Sequence, residues 1–159
     1  MGETIGFPEG GDADTAKRQA MMALAARASL DELSPALALI DDIGAVRDVR
    51  RPEIGLVMVR GRAGGGGAAF NLGEATVARA AVSLPSGETG FGYVLGRDRA
   101  KARLMAIVDA LWQRRATRAA IETDILGPVG ARLAAEQATT RARVAATKVD
   151  FFTMVRGDN

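Results

Sequence analysis

Residues 54–84 read Ile-Gly-Leu-Val-Met-Val-Arg-Gly-Arg-Ala-Gly-Gly-Gly-Gly-Ala-Ala-Phe-Asn-Leu-Gly-Glu-Ala-Thr-Val-Ala-Arg-Ala-Ala-Val-Ser-Leu, two apolar runs around four consecutive glycines. Leu56, Val57, Met58 and Val59 lead into the glycines, and Thr76, Val77 and Val82 follow them. Such a stretch predicts strand, glycine loop, strand. Ile54 to Arg60 is apolar on both faces, the pattern of a central strand. Arg60 and Arg62 precede the loop and Arg79 follows it, which marks a place where an anion or a partner can meet the chain.

Working outward, Ala45–Arg51 carries Val46 and Val49 among charges and predicts an edge strand closed at Arg51-Pro52. A proline cannot donate to a ladder, which suits a strand end. Downstream, a strand is predicted over Ala75–Leu84, then turn chemistry at Pro85-Ser86-Gly87-Glu88, then a hairpin partner over Gly90–Leu95. Connections this short predict antiparallel pairing.

Helical patterns flank these strands. From Thr15 onward Met21, Leu24 and Ala25 recur at helical spacing, with Asp12 or Asp14 as the cap. Ser29 and Glu32 spell the S-x-x-E capping box of a second helix, with Leu33, Leu37 and Ile40 as its apolar face and Gly44 at its end. Pro35 lies deep for a first turn and argues for a start nearer Leu33. Asp98 caps a long helix running to about Arg118. Its stripe of Leu104, Met105, Val108, Leu111 and Trp112 predicts packing on the sheet. Gly127-Pro128 predicts a break. Gly130–Lys148 is helical in composition but holds few large apolar residues beyond Leu133 and Val144, so it lies exposed or against another chain. The last stretch, Val149–Asn159, sets Phe151 beside Phe152, and something has to cover them: the chain's own core or a partner.

The expected architecture is therefore α+β: an antiparallel sheet of about four strands flanked by helices, over residues 13–129. A flexible extension is expected at 1–12, and an outlying C-terminal helix with a docking tail at 130–159. One domain suits 159 residues. Aromatic residues are 4% of the chain and much of its apolar content is alanine, which points to a thin core and hints at a partner.

Composition also excludes much chemistry. The chain has no cysteine and no histidine, so it can hold neither a disulfide nor an ordinary zinc or iron–sulfur site, and His-dependent triads are out. The formal net charge is only +2, which disfavours wholesale binding of nucleic-acid backbone. No apolar run approaches the roughly 20 residues that span a bilayer. Met1–Gly11 lacks the basic and apolar regions of a secretory signal, so a cytoplasmic, non-membrane protein is expected.

The glycine block fits neither familiar phosphate loop. Gly61-x4-Gly66 is followed by Gly67 where a Walker A loop has lysine. A dinucleotide fingerprint leads into a helix, and Ala68–Val82 does not read as one. A nest of backbone amides for phosphate and a ligand-free hairpin loop both stay open. Gly96-Arg97-Asp98-Arg99, at a helix start, could receive an anion or simply cap the helix. Glu74, Glu88 and Asp98 offer carboxylates whose mutual placement the sequence does not give.

Several stretches together carry a resemblance. They are Thr15–Ala26, Gly55–Gly67 with Arg62, Gly64 and Gly65, Gly73–Val82 with Thr76, Arg79 and Ala80, and Gly90-Phe91-Gly92-Tyr93 leading into Gly96-Arg97-Asp98. Asp109-Ala110-Leu111 and the run Val149–Asn159 complete the set. On these residues the chain resembles the PhnG subunit family of the bacterial carbon–phosphorus lyase complex of alkylphosphonate catabolism. Gly66 departs from the threonine expected there.

The resemblance implies a subunit of a hetero-oligomer with PhnH, PhnI and PhnJ, with PhnL as accessory. The joint reaction would form α-D-ribose 1-methylphosphonate 5-triphosphate and adenine from ATP and methylphosphonate, the work of a multi-subunit transferase. It further implies that nucleosidase chemistry belongs to PhnI and radical C–P cleavage to PhnJ. This chain would then carry no catalytic residue, metal or cofactor of its own, ATP being a substrate of the complex, and its role would be architectural. Expected phosphate or partner contacts are Arg62, Gly64, Gly65, Arg79 and Arg97. Expected docking residues are Phe151, Phe152, Met154 and Arg156. The competing reading is a free-standing phosphate- or nucleotide-binding enzyme using Arg62, Arg79 and Arg97.

Overall fold

The computed structural model describes residues 11–62 and 66–147. Strand β1 (Arg47–Arg62) pairs antiparallel with β2 (Ala69–Ser83), which pairs antiparallel with β3 (Thr89–Leu95), in the order β1-β2-β3. The described sheet has three strands where about four were expected, because Ala45–Arg51 and Ile54–Arg60 fall in one continuous strand. Pro52 does not close a strand. It lies inside β1 in a stretch of shifted register between Asp48 and Glu53, and an edge strand tolerates the missing donor. The same order corrects the place of Ile54–Arg60, which lies on the sheet edge, while β2 is central. β2 also begins at Ala69 rather than Ala75.

Helix α1 (Gly11–Ala25) is already helical at residue 11, which puts positions 12 and 14 inside it rather than at its cap. Ser29 caps α2 (Leu30–Ala38) with the full box: Glu32 N–H donates to Ser29 Oγ at 3.1 Å and Ser29 N–H to Glu32 Oε2 at 2.8 Å. That reciprocal cap fixes the start ahead of Pro35. The helix then ends at Ala38, short of Gly44. Leu33 and Leu37 are buried and Ile40 packs against the core.

Asp98 caps α3 (Arg99–Gln113), its Oδ1 accepting from Lys101 N–H at 2.8 Å. Met105, Val108, Leu111 and Trp112 are buried beneath it, with Leu104 partly so. The face of the sheet under α3 is small: Ala78, Ala80, Val82, Gly90, Gly92 and Val94. Helix and sheet therefore approach closely, and a Cβ built on Gly92 would run into the Ala102 carbonyl. The thin core expected from composition is a closely spaced one.

α3 stops at Gln113 rather than near Arg118, since Arg114 turns extended. A short helix α4 (Arg115–Ala120), a π-helical segment (Ile121–Leu126) and α5 (Gly127–Ala146) follow without the expected break. Pro128 falls in the first turn of α5, where its missing N–H is not needed. Gly127 N–H reaches back five residues to the Glu122 carbonyl, the wider spacing of a π turn.

α5 is anchored at its base and free beyond it. Val129 and Leu133 are buried, whereas residues 134–146 are all exposed. Arg132 is the clamp: its Nε meets Glu32 Oε1 at 2.7 Å, its Nη2 the Arg27 carbonyl at 3.0 Å and its Nη1 Glu136 at 2.8 Å. The Arg132 hydrogen bond, then the Ser29 backbone N–H, hold the Glu32 carboxyl at about 2, below its ordinary 4.5. A folded value below the unfolded one means this stabilisation is complete above about pH 4.5 and vanishes as pH falls through about 2. Glu32→Gln should therefore melt about 2–4 °C below wild type at pH 7, the worth of one partly exposed ion pair. The two melting curves should converge by pH 2, and a gap that stays constant with pH would refute the linkage.

Candidate functional site

Because β3 pairs only with Val77–Ser83, the other half of β2 has no partner on that side. Leu56–Arg62 and Ala69–Thr76 consequently project past β3 as a two-stranded ribbon, the end of which carries the glycine loop. Leu56 and Met58 lie on one face of the ribbon and are 58% and 52% exposed. Phe70 and Leu72 lie on the other, at 47% and 61%, with Leu72 covering Gly61. Both faces are thus apolar and both are open. That is an unusual environment for such side chains in a folded chain.

At the root of the ribbon, on the sheet face away from α3, sits a polar cluster. Arg79 donates from Nε to Glu53 Oε1 at 2.7 Å across the β1–β2 pair, and Arg50 Nη1 reaches the same oxygen at 3.3 Å. The Arg79 guanidinium lies over Gly55, within 3.5 Å of where a Cβ would stand. Tyr93, its pair on β3, and then Glu53 push the Arg79 pKa above its ordinary value. Arg79 is a fixed cation, then, suited to holding a charge and unsuited to moving a proton. Phe91, Tyr93 and Leu95 continue this face, exposed, along β3.

The expected contact residues do not gather into one site. Arg62 pairs with Ala69 at the far end of the ribbon. Ten residues of β2 separate Ala69 from Arg79, about 30 Å of strand. Arg97 is exposed in the turn before α3, where the Asp98 carboxylate already satisfies the helix start. Gly64, Gly65, Phe151, Phe152, Met154 and Arg156 lie outside the described residues. The glycine block joins two antiparallel strands rather than a strand and a helix, so its setting is neither that of a P-loop nor that of a Rossmann turn.

The carboxylates do not converge either. Glu74 lies on the ribbon opposite Met58. Glu88 lies in the β2–β3 turn, held low by a 2.5 Å bond from Ser86 Oγ, and Asp98 is a cap. Among the described residues no group of acidic side chains is placed to hold a metal ion, and no helix is long and apolar enough to cross a membrane. A groove of about 640 Å³ runs between α2 and the start of α3, walled by Leu30, Pro35 and Leu104. Its one cation, Arg103, is bonded to Asp48 at 2.8 Å. Among the described residues the arrangement offers one cation of the expected set fixed by a partner, Arg79, and an open apolar ribbon, without a convergent acid–base pair.

Two features escaped the sequence reading. The apolar pattern on both faces of Ile54–Arg60 predicts a central strand, and in the structure it marks the open ribbon. The other is Asp109, 1% exposed and bound by Arg18 of α1; a single carboxylate inside the stripe from Met105 to Trp112 was its only signal.

Comparison with known proteins sharpens this picture. The family model described as phosphonate metabolism protein PhnG matches residues 16–157. The chain is also 57% identical over 148 residues to a curated protein of Rhizobium meliloti (strain 1021), the alpha-D-ribose 1-methylphosphonate 5-triphosphate synthase subunit PhnG. That match spans 93% of this chain and 94% of the relative.

Proposed function

The chain belongs to the PhnG family of phosphonate metabolism proteins, and from that premise we propose that it is a subunit of an α-D-ribose 1-methylphosphonate 5-triphosphate synthase. The observation that carries the reading is near full-length similarity to a protein named as that subunit. The site geometry supports an architectural share in the work: Arg79 held by Glu53, no convergent acid–base pair among the described residues and a projecting apolar ribbon. In this reading the complex turns ATP and methylphosphonate into the ribose triphosphate and adenine, in the cytoplasm. The reacting groups belong to other subunits, PhnI and PhnJ first among them, with PhnH in the core and PhnL as accessory. Phe151, Phe152, Met154 and Arg156 dock on a partner.

The alternative, a free-standing nucleotide-binding enzyme, needs Arg62 and Arg79 to act on one ligand, and the ribbon holds them about 30 Å apart. Co-expression with PhnH, PhnI and PhnJ tests the proposal. A tagged chain should carry those subunits through two purification steps in fixed ratio. The chain alone should neither bind ATP measurably nor hydrolyse it. A monomer that leaves all three partners behind would overturn the subunit reading.

A further inference from the structure

We propose that the outer edge of β1 between Ile54 and Val59 is a docking strand, which takes an extended apolar segment of a partner subunit, flanked by carboxylates, as a fourth strand of the sheet. The inference rests on the subunit reading above and locates the contact.

Its first ground is a contradiction between pattern and place. Ile54-Gly-Leu-Val-Met-Val59 is apolar at every side chain it has, the signature of a strand buried on both faces. Among the described residues it is an edge strand, with Ile54, Leu56, Met58 and Val59 all exposed. A two-stranded ribbon of this kind is marginal in water by itself. Burial against another chain removes the contradiction.

The second ground is the direction of the backbone. Gly96 N–H donates to the Thr76 carbonyl, so even-numbered residues of this part of β2 face β3 and odd-numbered ones face β1. Val77 and Ala75 pair with Gly55 and Val57. The amides and carbonyls of Ile54, Leu56 and Met58 therefore point away from the sheet, an open ladder ready for another strand. The same alternation on β3 turns Phe91 N–H outward, and there Asp109 Oδ2 accepts it at 2.8 Å. That edge is partly closed from within.

Edge protection is confined to the other half of β1. Between Arg47 and Glu53 the strand carries Pro52, shifted register and five charged side chains, the usual devices against strand addition. Ile54 to Val59 has none of them. Charge then selects the occupant. Asp48 and Glu53 are already committed to Arg103 and Arg79. Arg51 at one end of the apolar run, and Arg60 and Arg62 at the other, have no ion-pair partner among the described residues. An incoming strand with carboxylates at both ends satisfies them, whereas a helix would leave the three amides unpaired.

Hydrogen exchange on the complex purified with co-expressed PhnH, PhnI and PhnJ tests this at single-amide resolution. The amides of Ile54, Leu56 and Met58 should exchange at least tenfold more slowly in the complex than in the free chain. Leu56→Pro, which removes one outward donor, and Met58→Lys should each cut co-purifying partner at least tenfold while leaving the far-ultraviolet circular dichroism of the free chain unchanged. Should Leu56→Pro fail to fold, the wild-type exchange rates and Met58→Lys decide. Unchanged exchange of the three amides in an intact complex overturns the docking strand and leaves the subunit reading standing. Protection in the free chain that grows with its concentration assigns the edge to a second copy instead, and concentration-independent protection in the free chain that is lost on deleting residues 149–159 assigns it to the chain's own tail; either result overturns the proposal.

Discussion

Replacing Arg18 with alanine will lower the unfolding free energy by about 3–5 kcal/mol, the loss typical when one partner of a buried ion pair is removed. Asp109 is 1% exposed, and its two oxygens take Arg18 Nε at 2.7 Å and Nη2 at 2.6 Å. With Arg18 gone, the Phe91 N–H at 2.8 Å stays as a donor to Asp109, too little for a buried carboxylate. The Arg18 side chain is itself 31% exposed, so water can partly replace it and the lower end of the range is expected. Its guanidinium also lies 5.9 Å from the centre of the Phe91 ring, a smaller contribution that goes with it. Urea unfolding followed by circular dichroism measures the loss. The double variant Arg18→Met/Asp109→Leu should recover much of it, because removing both charges leaves nothing stranded. A loss below about 1 kcal/mol in Arg18→Ala would show that the pair contributes no more than a surface bridge.

This one carboxylate joins α1, α3 and β3, and the sequence hardly announces it. Local signals in the chain were legible because their causes are local. The Ser29–Glu32 box, the Asp98 cap and the stripe from Met105 to Trp112 each need only neighbours within two turns, and each formed as expected. Pro52 and Pro128 misled for the opposite reason. Their effect depends on whether a strand lies at an edge and whether a helix can widen into a π turn, which neighbours in sequence do not decide. Ile54–Val59 is the most instructive case. Its apolar pattern predicts a central strand buried on both faces, yet it falls on the sheet edge, because which strand lies outermost is decided by pairing partners far along the chain. Arg62, Arg79 and Arg97 failed to form one site because strand length, invisible in a list of arginines, keeps the first two far apart.

Gly92→Ala will cost about 3 kcal/mol, at the upper end for overpacking, and lower the melting temperature by about 6–12 °C. The added Cβ would enter the Ala102 carbonyl and stand 2.9 Å from the Ala106 nitrogen. Both obstacles are helix backbone, so no side chain can swing aside. α3 would have to lift from the sheet, loosening Met105 and Val108 along the whole stripe. Gly90 faces the same helix one turn on, where its Cβ would meet the Ala106 carbonyl and lie 2.5 Å from the Ala110 nitrogen, so Gly90→Ala should behave alike. Gly66, in the conspicuous glycine block, is the control: nothing lies within 4 Å of its would-be Cβ, and Gly66→Ala should fall within about 0.5 kcal/mol of wild type. Thermal melts of the three variants decide the matter, and equal effects at Gly92 and Gly66 would refute it. The glycines that hold this fold together are then the inconspicuous pair in Gly90-Phe91-Gly92, because there the helix leaves no room for a methyl group. If partner strands do dock on β1, whatever Gly92→Ala protein remains folded should still assemble, since α3 and the open edge lie on different parts of the sheet.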